Sequence, residues 1–285
     1  MPKSKAIVNV DCGSVNFGYS AIGEMSAATF VYTMSGFLVA ADSRRGDTGT
    51  IVRKLFPLGP IDTATVAVAL VGQFPILFSD DTGQVTLDLA AHIAHVLGSY
   101  KEPLMGLQDC MTKISVLLGH AIIAVAREQH VPDFTSHLLF CGYASYVPEV
   151  GKVPEVGAID IKYNSQDFGA NPDTHPIAIG GLQGFYSHHV WGALFNPYDS
   201  HYNDCRQYRF ASDRPYASRT LNDAIDLTAS YFAACQDPEI QKLDPEHCQA
   251  VGGPVVAATV TSEKGFKWVL PEKVNAAMAK WPRSA

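Results

Sequence analysis

The stretch GFLVAADSR, residues 36–44, carries the clearest structural signal in this chain of 285 residues. Six apolar or small residues are followed at once by the polar DSR, which begins at Asp42. The preceding run AATFVYT, residues 27–33, is also rich in β-branched and aromatic side chains, and only Met-Ser separates the two runs. This pattern predicts a tight β-hairpin whose buried second strand carries Asp42 at its carboxyl end.

Further strands and helices are predicted toward the carboxyl terminus. The continuous β-branched run ATVAVALVG, residues 64–72, is typical of a buried central strand. Apolar residues at helical spacing predict helices over residues 87–96 and 107–127. Additional strands are predicted at 137–143, 156–163, 255–261 and 266–269, and additional helices at 220–235 and 271–280. This order favours an α+β fold over a βαβ repeat.

Composition narrows the classes of function. A hydrophobic content of 47% with 17% charged residues excludes a disordered chain. The net charge of −7 argues against a dedicated nucleic-acid binder. No apolar run reaches the length of about 18 residues that a membrane helix needs, and no secretory signal is recognised. Six cysteines without a CxxC pair predict reduced thiols and a cytoplasmic location.

No cofactor or metal ion is predicted. The sequence contains neither a GxGxxG motif nor a Walker loop, so it offers no nucleotide site of those kinds. One stretch is rich in potential metal ligands, but their spacing matches no standard ligand pattern. These residues are His188, His189, Asp199, His201, Asp204 and Cys205.

The succession of segments resembles that of proteasome β-type subunits, which belong to the N-terminal-nucleophile hydrolases. GFLVAADSR is similar to the family's second strand, and KLFPL, residues 54–58, to the strand with its active-site lysine. The resemblance continues through HLLFCGY and Ile-Gly-Gly to the closing VGGPV and KGFKW, and extends over residues 26–269. It implies a four-layer αββα sandwich and assembly of identical subunits, commonly into a ring.

The resemblance also implies a role for individual residues. In this family the first residue of the mature chain attacks an amide carbonyl, and its own α-amine accepts the proton. Counting back from Asp42 at the family's spacing places this nucleophile at Ser26, where the family normally has threonine. Asp42 and Lys54 match the family's charge pair, and Gly72 matches the glycine of the oxyanion hole. Thr29 is a second candidate nucleophile, and a chain without any nucleophile is the third possibility.

Three supporting positions depart from the family's pattern. The family's serine in the turn after its central sheet falls on Gly181. Its aspartate before the closing glycines falls near Cys248, with Asp244 and Glu246 close by. Its second supporting serine falls on Val251.

These observations give an expected organisation and two expected functions. Residues 1–25 would be an N-terminal extension or propeptide, residues 26–270 the hydrolase-like domain with an insertion at about 186–216, and residues 271–285 a C-terminal helix or tail. The first function is a threonine- or serine-type peptidase or amidohydrolase that acts on peptide or amide bonds after self-processing, as a homo-oligomer. The second is a catalytically inactive subunit that works by self-assembly.

Overall fold

The computed structural model describes residues 27–44, 51–72, 77–79, 85–102, 104–128, 134–163, 168–176, 206–208, 218–243 and 251–282. The strands are β1 (Ala28–Thr33), β2 (Gly36–Ala41), β3 (Leu55–Pro57), β4 (Val66–Gly72), β5 (Leu77–Ser79), β6 (Val85–Asp88), β7 (Phe134–Val147), β8 (Gly151–Tyr163), β9 (Phe168–Pro176), β10 (Val256–Thr261) and β11 (Gly265–Trp268). The helices are α1 (Leu89–Ser99), α2 (Leu107–Glu128), α3 (Leu221–Gln236), α4 (Pro238–Leu243) and α5 (Pro271–Met278).

A four-stranded antiparallel sheet has the order β1-β2-β10-β11. The predicted hairpin is confirmed, with Ala28 opposite Ala41. Its turn ends at Gly36, whose φ is +128°. A Cβ at this position would lie 2.5 Å from the carbonyl oxygen of Val260, so the close approach of β10 requires glycine here.

A five-stranded antiparallel sheet has the order β3-β4-β7-β8-β9. The run that predicted a central strand is β4, and both of its faces are buried because side chains alternate along it. Val66, Val68 and Leu70 pack in one hydrophobic cluster with α1 and α2. Ala67, Ala69 and Val71 pack in another, which they share with β1, β2 and β10.

A third cluster joins the other face of the four-stranded sheet to α3 and α5. Helix α3 follows the capping residue Thr220. The Asp223 amide donates to Thr220 Oγ1, and the Thr220 amide donates in return to the Asp223 carboxylate. Leu38 and Ala40 of β2 reach this cluster, whereas Phe37 and Val39 face the cluster shared with β4. The fold is therefore α+β, with antiparallel sheets and helices packed against them.

Four described elements were not predicted from the sequence: β5, β6, β9 and α4. Strand β9 contains Pro172 and Pro176, which weaken a strand signal but are tolerated because β9 is an edge strand. The first helix begins at Leu89 rather than at residue 87, because β6 continues to Asp88. The insertion predicted at 186–216 lies outside the described residues except for the 3-10 turn Arg206–Tyr208.

Within the described residues, no helix is both long enough and apolar enough to cross a membrane.

Candidate active site

Asp42 lies directly after β2 and is buried beside the start of β1. The hairpin register that pairs Ala28 with Ala41 brings the next residues, Ala27 and Asp42, together. The Ala27 amide donates to Asp42 Oδ1 at 2.9 Å, and the Asp42 amide donates to the Ala27 carbonyl at 3.1 Å. The Asp42 carboxylate is thus fixed beside Ala27, which precedes β1 and directly follows residue 26 in the chain.

Lys54 makes a buried ion pair with this carboxylate. Its Nζ lies 3.0 Å from each carboxylate oxygen of Asp42 and donates to the carbonyl of Arg44 at 2.5 Å. The Lys54 carbonyl accepts a hydrogen bond from the Leu70 amide at 2.7 Å, which holds the residue against β4. Because Lys54 is only 2% exposed, water screens the attraction between the two charges very little.

The loop before β10 completes the surroundings of Asp42. The Gly252 amide donates to Asp42 Oδ2 at 3.3 Å, and the Gly252 carbonyl accepts from the Arg44 amide at 3.0 Å. Ser43 Oγ donates to the carbonyl of Pro254 at 2.6 Å. Gly253, between these contacts, has a φ of +72°, so the loop uses a conformation that favours glycine.

Two opposing effects set the charge state of Asp42. Burial raises the pKa of the carboxyl group, while the Lys54 ammonium and the amides of Ala27 and Gly252 act in the opposite direction. These donors are the groups that stabilise an ionised carboxylate away from water. The arrangement can therefore hold a lysine ammonium at a fixed position near the amino end of β1.

The structure places the other predicted residues as follows. Gly72 is the last residue of β4, two residues beyond Leu70, whose amide contacts the Lys54 carbonyl. Thr29 lies inside β1 and is 1% exposed, with its Oγ1 3.4 Å from Thr228 Oγ1 of α3. The Thr29 hydroxyl is therefore packed beneath α3 and closed off from solvent.

Several predicted site positions cannot be placed. Ser26, Gly181, Asp244, Glu246 and Cys248 all lie outside the described residues. The histidine-rich stretch considered as a metal site also lies outside them. Among the described residues, no group of three or more histidine, cysteine, aspartate or glutamate side chains could hold a metal ion.

Backbone groups form a part of the site that the sequence did not indicate. The carbonyl of Arg44 and the amides of Ala27 and Gly252 all contact Asp42 or Lys54. A backbone amide or carbonyl occurs at almost every position, so residue type gives no signal for it. The glycine pair at 252–253 is the sequence feature that could have indicated a close approach of two chain segments.

No known protein-family model matches this chain, and no curated protein sequence is significantly similar to it.

Proposed function

We propose that this protein is an N-terminal-nucleophile hydrolase, similar to proteasome β-type subunits, that cleaves peptide or amide bonds after self-processing before Ser26. The contact of both the Lys54 ammonium and the Ala27 amide with the Asp42 carboxylate carries the proposal. Ala27 follows Ser26 directly, so chain connectivity keeps residue 26 within one peptide unit of this contact. A nucleophile at that position would have a fixed positive charge beside it.

The proposed mechanism assigns one task to each group. Cleavage of the Met25–Ser26 bond frees the α-amine of Ser26, which titrates near pH ~8 and can act as a base at neutral pH. This amine accepts the hydroxyl proton of Ser26 as Oγ attacks the amide carbonyl of the substrate, and it passes that proton to the leaving amine as the C–N bond breaks. Water then hydrolyses the resulting ester, which releases the acid product and restores the Ser26 hydroxyl. The Lys54 ammonium favours the deprotonated hydroxyl, and Asp42 orients Lys54. The Gly72 amide donates to the oxyanion that forms on the substrate carbonyl.

The proposed architecture is the four-layer αββα sandwich of these hydrolases. Three hydrophobic clusters support it. One contains side chains from both sheets, another joins α1 and α2 to the five-stranded sheet, and the third joins α3 and α5 to the four-stranded sheet. In this arrangement the Asp42–Lys54 pair lies where the end of β2 meets the edge strand β3.

A non-catalytic subunit is the alternative, and the environment of Val251 favours it. Val251 occupies the position of a supporting serine in the family and is buried in the cluster beneath α3. A valine cannot donate a hydrogen bond to an α-amine or to a hydroxyl. Under this alternative the Asp42–Lys54 pair is retained for stability, and the protein acts through assembly with further copies of itself.

Peptide cleavage with matched serine variants tests the proposal. A mixture of peptides is incubated with the wild-type protein, Ser26→Ala and Ser35→Ala, and the products are identified by mass spectrometry. Ser35 is an exposed residue of the β1–β2 turn, so its substitution controls for the general effect of removing a hydroxyl. We expect cleavage by the wild type and by Ser35→Ala, and none by Ser26→Ala. Equal cleavage by all three would contradict the mechanism, and cleavage by none would favour the non-catalytic alternative.

A further inference from the structure

Arg53, the residue before Lys54, lies between two aromatic rings. The central carbon of its guanidinium is 5.0 Å from the ring centre of Phe56 and 5.0 Å from the ring centre of Trp268. A planar guanidinium stacks on aromatic faces through both its charge and its shape, which a lysine ammonium cannot reproduce. The side chain is therefore held at two contacts although Arg53 is an exposed residue.

The two rings belong to different sheets. Phe56 is in β3, an edge strand of the five-stranded sheet, and Trp268 is in β11, an edge strand of the four-stranded sheet. Trp268 is itself fixed, because its ring meets the fully buried Phe266 edge-on at a centroid distance of 4.7 Å. The Phe266 amide also donates to the Ala64 carbonyl at 2.8 Å, just before β4. The stack thus joins the edge strands of the two sheets.

Arg53 also forms a hydrogen bond that spans Lys54 along the chain. Arg53 Nε donates to the carbonyl of Leu55 at 3.0 Å, so the side chain of Arg53 spans the residue between them. On the other side the Lys54 carbonyl accepts from the Leu70 amide. Lysine has a long flexible stem, and its head group is fixed only as well as the backbone that carries it. Arg53 supplies that support from outside the ion pair.

We propose that Arg53 is a positioning residue that holds Lys54 against Asp42, and that it does so through its stack with Trp268. Its influence on hydrolysis rests on the proposed function, whereas its influence on the Lys54–Asp42 contact does not. Loss of the stack would remove one of the contacts that hold segment 53–55 in place. Lys54 Nζ would then leave the carboxylate more often and reach solvent.

Competitive acetylation of Lys54 tests this inference directly. The protein is treated with acetic anhydride at pH 8, and the modification of Lys54 is compared by peptide mass spectrometry with that of Lys264, an exposed lysine of the β10–β11 turn. Arg53→Met and Trp268→Leu should each raise the relative rate at Lys54 by about tenfold. Trp268→Phe keeps an aromatic face and should restore most of the protection.

Two controls separate positioning from a general loss of stability. Lys267→Met removes an exposed cation from the same strand as Trp268 and should leave the rate at Lys54 unchanged. Alkylation of the buried Cys110 thiol in each variant reports opening of the whole fold. An increase at Lys54 without an increase at Cys110 supports the inference. Equal increases at both sites, or no increase at Lys54, would overturn it.

The outcome is separate from that of the proposed function. The acetylation rates can be measured on a chain that is never processed. An inactive wild type would therefore refute the proposed hydrolase function, while the acetylation rate at Lys54 would still decide whether Arg53 is a positioning residue. If the wild type is processed, Arg53→Met should slow processing at a protein concentration and temperature at which Cys110 remains protected. Arg53→Lys should not restore the wild-type rate, because an ammonium lacks the planar stack.

Discussion

Ala27 and Asp42 are joined twice, once between their backbones and once through the Asp42 side chain. The Asp42 amide donates to the Ala27 carbonyl at 3.1 Å, and the Ala27 amide donates to Asp42 Oδ1 at 2.9 Å. The same carboxylate holds the Lys54 ammonium. A single side chain therefore connects the amino end of β1 with a buried positive charge, and the account of this protein depends on that connection.

The stability of the fold should depend strongly on the Asp42–Lys54 pair. Asp42→Asn leaves the Lys54 ammonium buried without its counter-charge, and Lys54→Met leaves the Asp42 carboxylate in the same situation. We expect each single variant to lower the free energy of unfolding by about 3 kcal/mol or more. Urea denaturation at pH 7 measures this change.

An exposed ion pair and the double variant are the controls for this expectation. Lys113 contacts Glu102 and Asp109 at the surface, and Lys113→Met should lower the free energy of unfolding far less than either substitution in the buried pair, because water screens the exposed charges. The double variant of Asp42→Asn and Lys54→Met should cost clearly less than the sum of its parts, because neither charge is then left alone. Additive losses would show that the two groups do not act as a pair.

The β1–β2 turn should tolerate no side chain at Gly36. Gly36→Ala places a Cβ 2.5 Å from the Val260 carbonyl oxygen, at a backbone φ of +128°. We expect a loss of about 2 kcal/mol or more in the free energy of unfolding. Thermal unfolding followed by circular dichroism measures it.

Gly98 in α1 is the matched control for Gly36. Apart from its chain neighbours and the adjoining backbone of α1, no atom of the described residues lies within 4 Å of the Cβ that Gly98→Ala would add, and alanine favours a helix over glycine. This variant should be neutral or stabilise the protein by up to about 1 kcal/mol. A similar loss from both substitutions would contradict the steric explanation.

The contact between Tyr208 and Asp237 should make stability depend on pH in the acid range. The hydrogen bond from the Tyr208 hydroxyl lowers the pKa of Asp237, which also caps α4 by accepting from the Glu239 amide. Since the pKa is lower in the folded state, the contribution is present above the unfolded pKa of about 3.9 and is lost as the pH falls through the folded value. Tyr208→Phe should therefore cost about 1 kcal/mol at pH 6 and less at pH 3.

Chemical denaturation of Tyr208→Phe at the two pH values measures this difference. Tyr146→Phe serves as the control, because Tyr146 is 71% exposed at the end of the β7–β8 hairpin. The control should match the wild type at both values. A cost for Tyr208→Phe that grows toward pH 3 would mean that the sign of the coupling is wrong.

The thiols of Cys110 and Cys141 should resist alkylation in the folded protein. Burial raises the pKa of Cys110 to about 11 and raises that of Cys141 well above its ordinary value. Both groups are then protonated thiols without access to solvent at pH 8, and the thiolate is the reactive form. Iodoacetamide labelling followed by peptide mapping should find them unmodified until denaturant is added.

An introduced thiol gives the reference rate for this experiment. Ser35→Cys places a thiol in the exposed β1–β2 turn, where it should react as fast as a thiol in a short peptide. Labelling of Cys110 or Cys141 at a similar rate without denaturant would contradict their burial.

Most of the fold could be predicted because its core elements carry strong local patterns. The hairpin of β1 and β2, the central strand β4 and the helices α2 and α3 each have the periodicity that their burial requires. Strand β9 could not be predicted, because its pairing with β8 comes from the sheet rather than from its own sequence FGANPDTHP. The short strands β5 and β6 could not be predicted for the same reason, because they form by pairing with each other.

The candidate site was predictable only where side chains form it. Asp42 and Lys54 were indicated by the resemblance of their segments to the family's charge pair, and the structure brings them together. The donors and acceptors around them are backbone groups of Ala27, Arg44 and Gly252, which depend on register and on loop geometry. The stack of Arg53 with Trp268 joins two residues that are distant in the chain, and no local sequence pattern predicts such a contact.

The state of the bond between Met25 and Ser26 decides whether this protein uses an N-terminal nucleophile. The purified protein is incubated at neutral pH, and its intact mass and N-terminal sequence are determined beside those of Ser26→Ala. We expect a wild-type chain that begins at Ser26 and a variant that stays whole, because only self-cleavage depends on the hydroxyl of residue 26. A wild-type chain that keeps residues 1–25 after long incubation would contradict the N-terminal-nucleophile mechanism.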